Sequence, residues 1–421
     1  MSARGRGPGD RSALSRCVAI DTASFASEYW ATRPLLTPAA ELGQDFSDLF
    51  SRDDVDELVS ARALRTPFVR MAEEGAVLPP SRFTAPGGFG AEVGDQVSSE
   101  KVLAEFADGA TLVLQGLHRT WPPIAEFTRR LAAELGHPCQ VNAYITPASS
   151  RGFDPHYDVH DVFVLQVHGE KHWTIHEPVH PDPLRDQPWS DHRAAVAERA
   201  AGTPAIDATF GPGDALYLPR GWIHSATALG GISIHLTIGV AAYTRHDIVQ
   251  EAVARAADAA SLRASLPLGF DPADTEALRP IVEATIADLL AVLGGQEQDT
   301  TAAVAHRLEA RRRADTPPEP VRPLATVDAA DALDPEGASG VRVALRAGLR
   351  PRITADDSSV TVRLADKSVS LPIAARAAIE RIATGEPVTV SDLPDLDVGS
   401  AVVVARRLLR EGVLVIAHGD A

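Results

Sequence analysis

The sequence predicts an α+β protein in which short strands between residues 140 and 240 are flanked by helices on both sides. Three observations carry this. Apolar, β-branched runs recur across that stretch, divided by Gly, Pro and Asp, which is the texture of a sandwich or barrel. Residues 20–75 and 247–313 instead show apolar side chains at helical spacing. A proline-dense segment, 315–323, then sets off a tail of mixed strands and helices.

Each element has a local reason. Arg4, Arg6, Arg11 and Arg16 lie among glycines with no apolar stretch, so residues 1–16 read as a disordered tail and not as a secretory signal. Phe25, Tyr29 and Trp30 open the helical part, and Ser51 offers an N-cap with Asp53 and Asp54 in the first turn of the next helix. Residues 79–98, rich in Pro and Gly, read as a loop. Helix is expected at 101–106, buried strand at 111–114, and an amphipathic helix at 123–135 stopped by Gly136. Strands follow at 141–145, 162–167, 173–176, 215–218 and 233–238, with a polar insertion at 181–204 that holds one helix. Helices are expected at 248–260, 274–293 and 301–313. The end pairs strands near 341–345, 360–364 and 413–416 with helices at 373–384 and 398–411, sizes that suggest a winged-helix-like module.

The 421 residues carry 40 basic and 57 acidic side chains, a net charge of −17, with 45% hydrophobic residues. At about 100–200 residues per domain, this length holds two to three domains. The acidic balance speaks against a general nucleic-acid binder, which needs clustered Lys and Arg. It suits a basic partner. Residues 341–421 are nearly neutral, with 11 basic against 10 acidic side chains and no basic stripe, so DNA binding by that module is not expected. No run of about 18 apolar residues marks a membrane span. Two cysteines, Cys17 and Cys139, build neither a disulfide framework nor a cysteine-rich zinc site, which points to a reducing, cytoplasmic setting.

Nine of the 14 histidines fall between His156 and His235. His156 and Asp158 are two apart, so on extended backbone both side chains leave one face. His224 can close the set from a neighbouring strand. Two imidazoles and a carboxylate on one face of a metal, with three positions open, are the ligand set of non-haem Fe(II) oxygenases. A zinc site remains the competing metal reading, because zinc binds such ligands more tightly than Fe(II). Lys171 lies beyond the next strand. It is one of only three lysines against 37 arginines, and its compact ammonium fits a narrow pocket for a carboxylate. His168, His172, His176 and His180 recur every four residues. Gly169, Thr174, Ile175 and Pro178 argue strand and turn there, so no second metal site is expected.

Taken together, Asn142-Ala-Tyr144-Ile-Thr-Pro147, Pro155-His-Tyr-Asp158, Phe163-Val-Leu-Gln166, Gly169-Glu-Lys-His-Trp173 and Gly213-Asp-Ala-Leu-Tyr-Leu-Pro-Arg-Gly-Trp-Ile-His224 resemble the JmjC-type (cupin-like) 2-oxoglutarate oxygenases of the ribosomal oxygenase group. The resemblance implies a double-stranded β-helix catalytic domain at 17–245, a helical dimerisation segment at 246–314, a linker at 315–340 and a winged-helix-like domain at 341–421. It also implies Fe(II) held by His156, Asp158 and His224, and 2-oxoglutarate held by Lys171 with Asn142 and Tyr144 lining its pocket. The activity implied is O₂-dependent hydroxylation of a His or Arg side chain of a basic ribosomal protein by a homodimer, with no proton-transfer residue required. A small-molecule oxygenase and a non-catalytic binding protein on the same shell are the alternatives. One departure stands out: where the group often has Ser two residues after His235-Leu-Thr237, this chain has Gly239.

Overall fold

The computed structural model describes residues 12–73, 75–90, 92–148, 154–294 and 297–417. It divides into two compact units, Met1–Ala242 and Tyr243–Ala421. Of the expected tail, residues 1–11 lie outside the described residues. The rest is ordered: Leu14–Arg16 form a 3₁₀ turn in which Ala13, Leu14 and Arg16 are buried, held by Glu134 accepting from the N–H groups of Ala13 and Leu14.

The first unit is built on one antiparallel sheet. Its strands are β1 (Leu35–Thr37), β2 (Val69–Glu73), β3 (Ala76–Val77), β4 (Thr111–Leu114), β5 (Cys139–Thr146), β6 (Asp161–His176), β7 (Ile206–Phe210), β8 (Ala215–Leu218) and β9 (Ile223–Val240). Their order is β1-β8-β6-β9-β5-β4-β2-β3, with β7 on the outer part of β6. The expected strands at 162–167 and 173–176 are one strand, β6. Gly169 adopts φ +66° within it, and a Cβ there would meet the Ile232 carbonyl oxygen at 2.1 Å. The partner β9 changes register between Leu229 and Ile234, so both long strands bend at the same level. A flat sheet thereby folds over on itself and encloses a cavity.

Helices pack against one side. Arg52–Ala61 begins with the expected Ser51 cap, reciprocated by Asp54, and Pro122–Leu135 buries Ile124, Phe127 and Leu131 and ends on Gly136 at φ +76°. The core there joins Phe25, Phe46, Leu58, Leu114, Leu131, Phe163 and Tyr217. Strand β2 lies inside the stretch read as helix and turn, and β7 follows the polar insertion. Both are five residues long, below the length at which periodicity distinguishes strand from helix.

The second unit begins with helices α1 (Arg245–Ala256), α2 (Thr275–Gly294) and α3 (Glu297–Asp315), close to the three expected. The expected linker at 315–340 is shorter than that. Pro323–Ala332 form a further helix, and Ala330 and Leu333 belong to the core of this unit with Val343, Val360, Ile379, Ala401 and Leu408. Prolines at the start of that span sit before or at the first turn of the helix, where a missing N–H costs nothing. The remainder holds two three-stranded antiparallel sheets and the helices Arg376–Ala383 and Val398–Arg410.

Candidate metal centre and cosubstrate cavity

His156 reaches the site through a bridge of two backbone hydrogen bonds to His224: His156 N–H donates to the His224 carbonyl at 3.2 Å, and His224 N–H to that of His156 at 2.8 Å. The turn before His224 is fixed to the same segment, since Gly221 N–H donates to the Asp158 carbonyl at 3.0 Å. Gly221 has φ +87°, and a Cβ would stand 2.8 Å from the His180 carbonyl oxygen. Below it, Asp161 accepts from Arg220 N–H at 2.9 Å and from the Tyr217 hydroxyl at 3.0 Å. The motif that carries His224 is thus pinned to the motif that carries Asp158.

The ligand atoms of His156, Asp158 and His224 all lie within 4.8 Å of one another. The Nδ1 atoms of both histidines face backbone carbonyls, that of Asp154 at 2.7 Å and that of Trp222 at 3.1 Å. A carbonyl only accepts, so each Nδ1 carries the proton and each Nε2 presents a lone pair. Burial, then His156, pushes the His224 imidazole down to about 4, which keeps it neutral. Burial works against the Asp158 carboxylate, but His160, His224 and His156 outweigh it and hold it below the usual range. Two imidazole nitrogens and one carboxylate, oriented from behind, fit a divalent metal.

The triad opens on a cavity of about 260 Å³ whose wall includes Tyr144, Thr146, Lys171, Trp173, His235 and Thr237. Lys171 is buried on β6 and donates to Thr146 Oγ1 at 3.2 Å. Among the described residues no carboxylate pairs with it, and burial pushes it down to about 7. A buried ammonium without a counter-charge is costly unless a ligand supplies one. This fits a carboxylate at that end of the cavity. Tyr144 stacks on His235 with ring centroids 5.1 Å apart, and burial raises its phenol to about 12. Asn142 is set back from the cavity wall: its Oδ1 accepts from Gly116 N–H at 3.0 Å, and its side chain bonds Tyr144. It supports the wall and does not form it.

His235 reads from sequence as a packed strand residue, yet it is part of the cavity wall, with an Nδ1 that has no partner among the described residues. Burial, then Lys171 and His224, keeps its imidazole neutral. Thr146 is the more instructive omission, since the period-two row Asn142, Tyr144, Thr146 on β5 signals it. Arg70, also in the wall, carries no such signal, because the five residues of β2 are too few to mark a strand. The four-residue histidine series does not gather. His172 bonds Thr209 and Asp207, and His180 bonds Gln187 and stacks on His192.

The family model for the JmjC domain matches residues 120–248, which hold the triad and most of the cavity wall. This stretch matches a JmjC domain. It is similar to the bifunctional lysine-specific demethylase and histidyl-hydroxylase NO66 of Aedes aegypti, 29% identical over 218 residues that make up 51% of this chain and 32% of that one. It is likewise similar to ribosomal oxygenase 2 of Mus musculus, 29% identical over 238 residues, 52% of this chain and 45% of that one. The chain spans less than half the length of these relatives. Among solved structures, ribosomal oxygenase YcfD of Escherichia coli matches with a TM-score of 0.52 at 17% identity, over 94% of this chain and 98% of that one. A structure of YcfD with cobalt and succinic acid matches with the same TM-score and identity, over 95% and 99% of the two chains. The chain therefore shares its fold with these ribosomal oxygenase structures. No helix among the described residues is long and apolar enough to cross a membrane.

Proposed function

We propose that this protein is an Fe(II)- and 2-oxoglutarate-dependent oxygenase that hydroxylates a side chain of a protein substrate. The observation that carries this is the shared cavity: the His156, Asp158 and His224 donors face the same space as the buried ammonium of Lys171. When bound, Fe(II) with 2-oxoglutarate and O₂ supplies the oxidising power to hydroxylate an unactivated C–H bond. The protein's part is positioning. His156 and His224, oriented by the carbonyls behind them, and Asp158 would hold the metal. Lys171 and the Thr146 hydroxyl take the remote carboxylate of the cosubstrate. Tyr144, Trp173 and His235 keep that end dry, which strengthens the charge pairing. None of these groups needs to move a proton during hydroxylation.

The relatives' names, ribosomal oxygenase and histidyl-hydroxylase, support a ribosomal protein as substrate and His as the residue hydroxylated, with Arg the alternative that the sequence resemblance implies. The acidic composition favours approach of such a basic partner. The segment 246–314 is read as a homodimer interface: on α2, Val282, Ile286 and Leu290 share one exposed, apolar stripe. Residues 341–421 are read as a winged-helix-like module that packs or binds a partner, since Arg410 is paired with Asp331 and Arg407 with Glu411. The test is incubation of the protein with Fe(II), 2-oxoglutarate and extracted ribosomal proteins in air. A +16 Da product on one ribosomal protein is expected. Modification of a metabolite instead would favour the small-molecule reading, and no succinate at all the binding-protein reading.

A further inference from the structure

We propose that His160, seated over the side-chain-less Gly239, is a specificity-determining residue that meets the polypeptide substrate; this rests on the oxygenase reading above. On β9, His235, Thr237 and Gly239 share one face, paired with Tyr144, Asn142 and Gln140 of β5. The row is graded along its length. At one end Ser233 pairs with Thr146, the hydroxyl that accepts from Lys171, which places the cosubstrate carboxylate there. Gly239 lies six positions further on, roughly 20 Å along the strand. A five-carbon diacid held at Lys171 does not reach it. The cavity wall reaches Thr237 and Val162, the cross-strand partner of Gly239 on β6, and Gly239 and His160 lie just beyond those wall residues. That end is left to the substrate.

Glycine at 239 answers no backbone demand, since its φ lies outside the left-handed region. What it provides is room. A Cβ at 239 would stand 2.6 Å from Cδ2 and 2.7 Å from Nε2 of His160, and 3.2 Å from Gln140 Nε2. The imidazole occupies the place a strand side chain would otherwise take. His160 is partly exposed and makes no hydrogen bond among the described residues, so its hydrogen-bonding capacity is not used up within the fold. Two residues after Asp158, it stands beside the triad and presents a hydrogen-bonding ring to a peptide amide or polar side chain flanking the reacting residue.

The test compares wild type with His160→Ala, His160→Asn and Gly239→Ser, using the ribosomal protein that the wild type modifies. His160→Ala and Gly239→Ser, which evicts the ring, are each expected to lower kcat/KM for that protein about tenfold, through KM. His160→Asn, which keeps a donor and an acceptor, recovers part of the loss. The affinity of the Mn(II)-loaded protein for 2-oxoglutarate, read by calorimetry, changes less than about threefold in all three, as befits a site remote from Lys171. An unchanged kcat/KM in His160→Ala overturns the inference alone, as does a loss of 2-oxoglutarate affinity that parallels the loss of turnover. A wild type that binds no 2-oxoglutarate overturns the oxygenase reading itself. A wild type that binds it but modifies no ribosomal protein overturns the substrate reading, and this inference with it.

Discussion

Replacing Lys171 with methionine keeps the length of the stem and removes the charge. In the wild type that charge is buried, has Thr146 Oγ1 as its hydrogen-bond partner, and sits 6.0 Å from the centre of the Trp173 ring. Burial takes the ammonium from 10.5 down to about 7. At about 1.36 kcal/mol per pKa unit, that shift costs the ligand-free fold roughly 5 kcal/mol below pH 7. Between pH 7 and 10.5 the unfolded chain binds more protons at this site than the folded one, so ligand-free stability rises with pH. Lys171→Met lacks that rise and is the more stable protein at pH 7. Ligand binding reverses the order. A carboxylate beside Lys171 restores the ammonium, so binding 2-oxoglutarate at pH 8 takes up close to one proton. Losing one partner of a buried charge pair costs about 2–5 kcal/mol, roughly thirty- to several-thousand-fold in affinity. Calorimetry of 2-oxoglutarate into Mn(II)-loaded protein, in two buffers of different ionisation enthalpy, reads both quantities. Thermal denaturation of metal-free protein at pH 7 and pH 9 reads the stability. Affinity retained in the variant, or no proton uptake by the wild type, would refute the placement of the cosubstrate carboxylate at Lys171, and a less stable variant at pH 7 would refute the burial cost of its charge.

Other outcomes follow from the same geometry. Mn(II) or Co(II) at about a hundredfold excess over Kd stabilises the wild type by about 2.7 kcal/mol; His224→Ala abolishes that gain in denaturation experiments, and an equal gain in the variant would exclude His224 as a ligand. Tyr217→Phe removes the donor to buried Asp161 and the acceptor of the Ala31 N–H, so it destabilises by about 1–3 kcal/mol in chemical denaturation. A change within error there would remove the network from the account of how His224 is held. Ile286→Glu combined with Leu290→Glu converts a dimer to a monomer by light scattering, and a monomeric wild type rejects the dimer reading outright.

The chemistry was more legible in the sequence than the architecture around it. His156 and Asp158 announce themselves by period two on extended backbone, and the Gly-Asp…Pro-Arg-Gly-Trp-Ile-His motif announces the turn that brings His224 across. Lys171 stood out by residue type in an arginine-rich chain. Asn142 and Tyr144 belong to one strand row, but which of them touches the cavity depends on Asn142 turning to Gly116, a partner 26 positions away. The strand 69–73 and the continuity of β6 through Gly169 were not legible. The first is too short to show periodicity, and the second depends on a bend shared with β9 and not on local preference. The helix within 315–340 was obscured by prolines that lie before or at its first turn. The ring of His160 over Gly239 is a contact between the bend before β6 and a strand about 80 positions away, and spacing alone does not reveal it.

The central claim is that His156, Asp158 and His224 hold iron next to a cosubstrate carried by Lys171. Anaerobic titration of the metal-free protein with Fe(II) and then 2-oxoglutarate measures this most directly. A visible metal-to-ligand charge-transfer band that saturates at one equivalent of each, and is absent in His224→Ala and strongly weakened in Lys171→Met, is the predicted result. No band in the wild type, or an undiminished band in either variant, would contradict it.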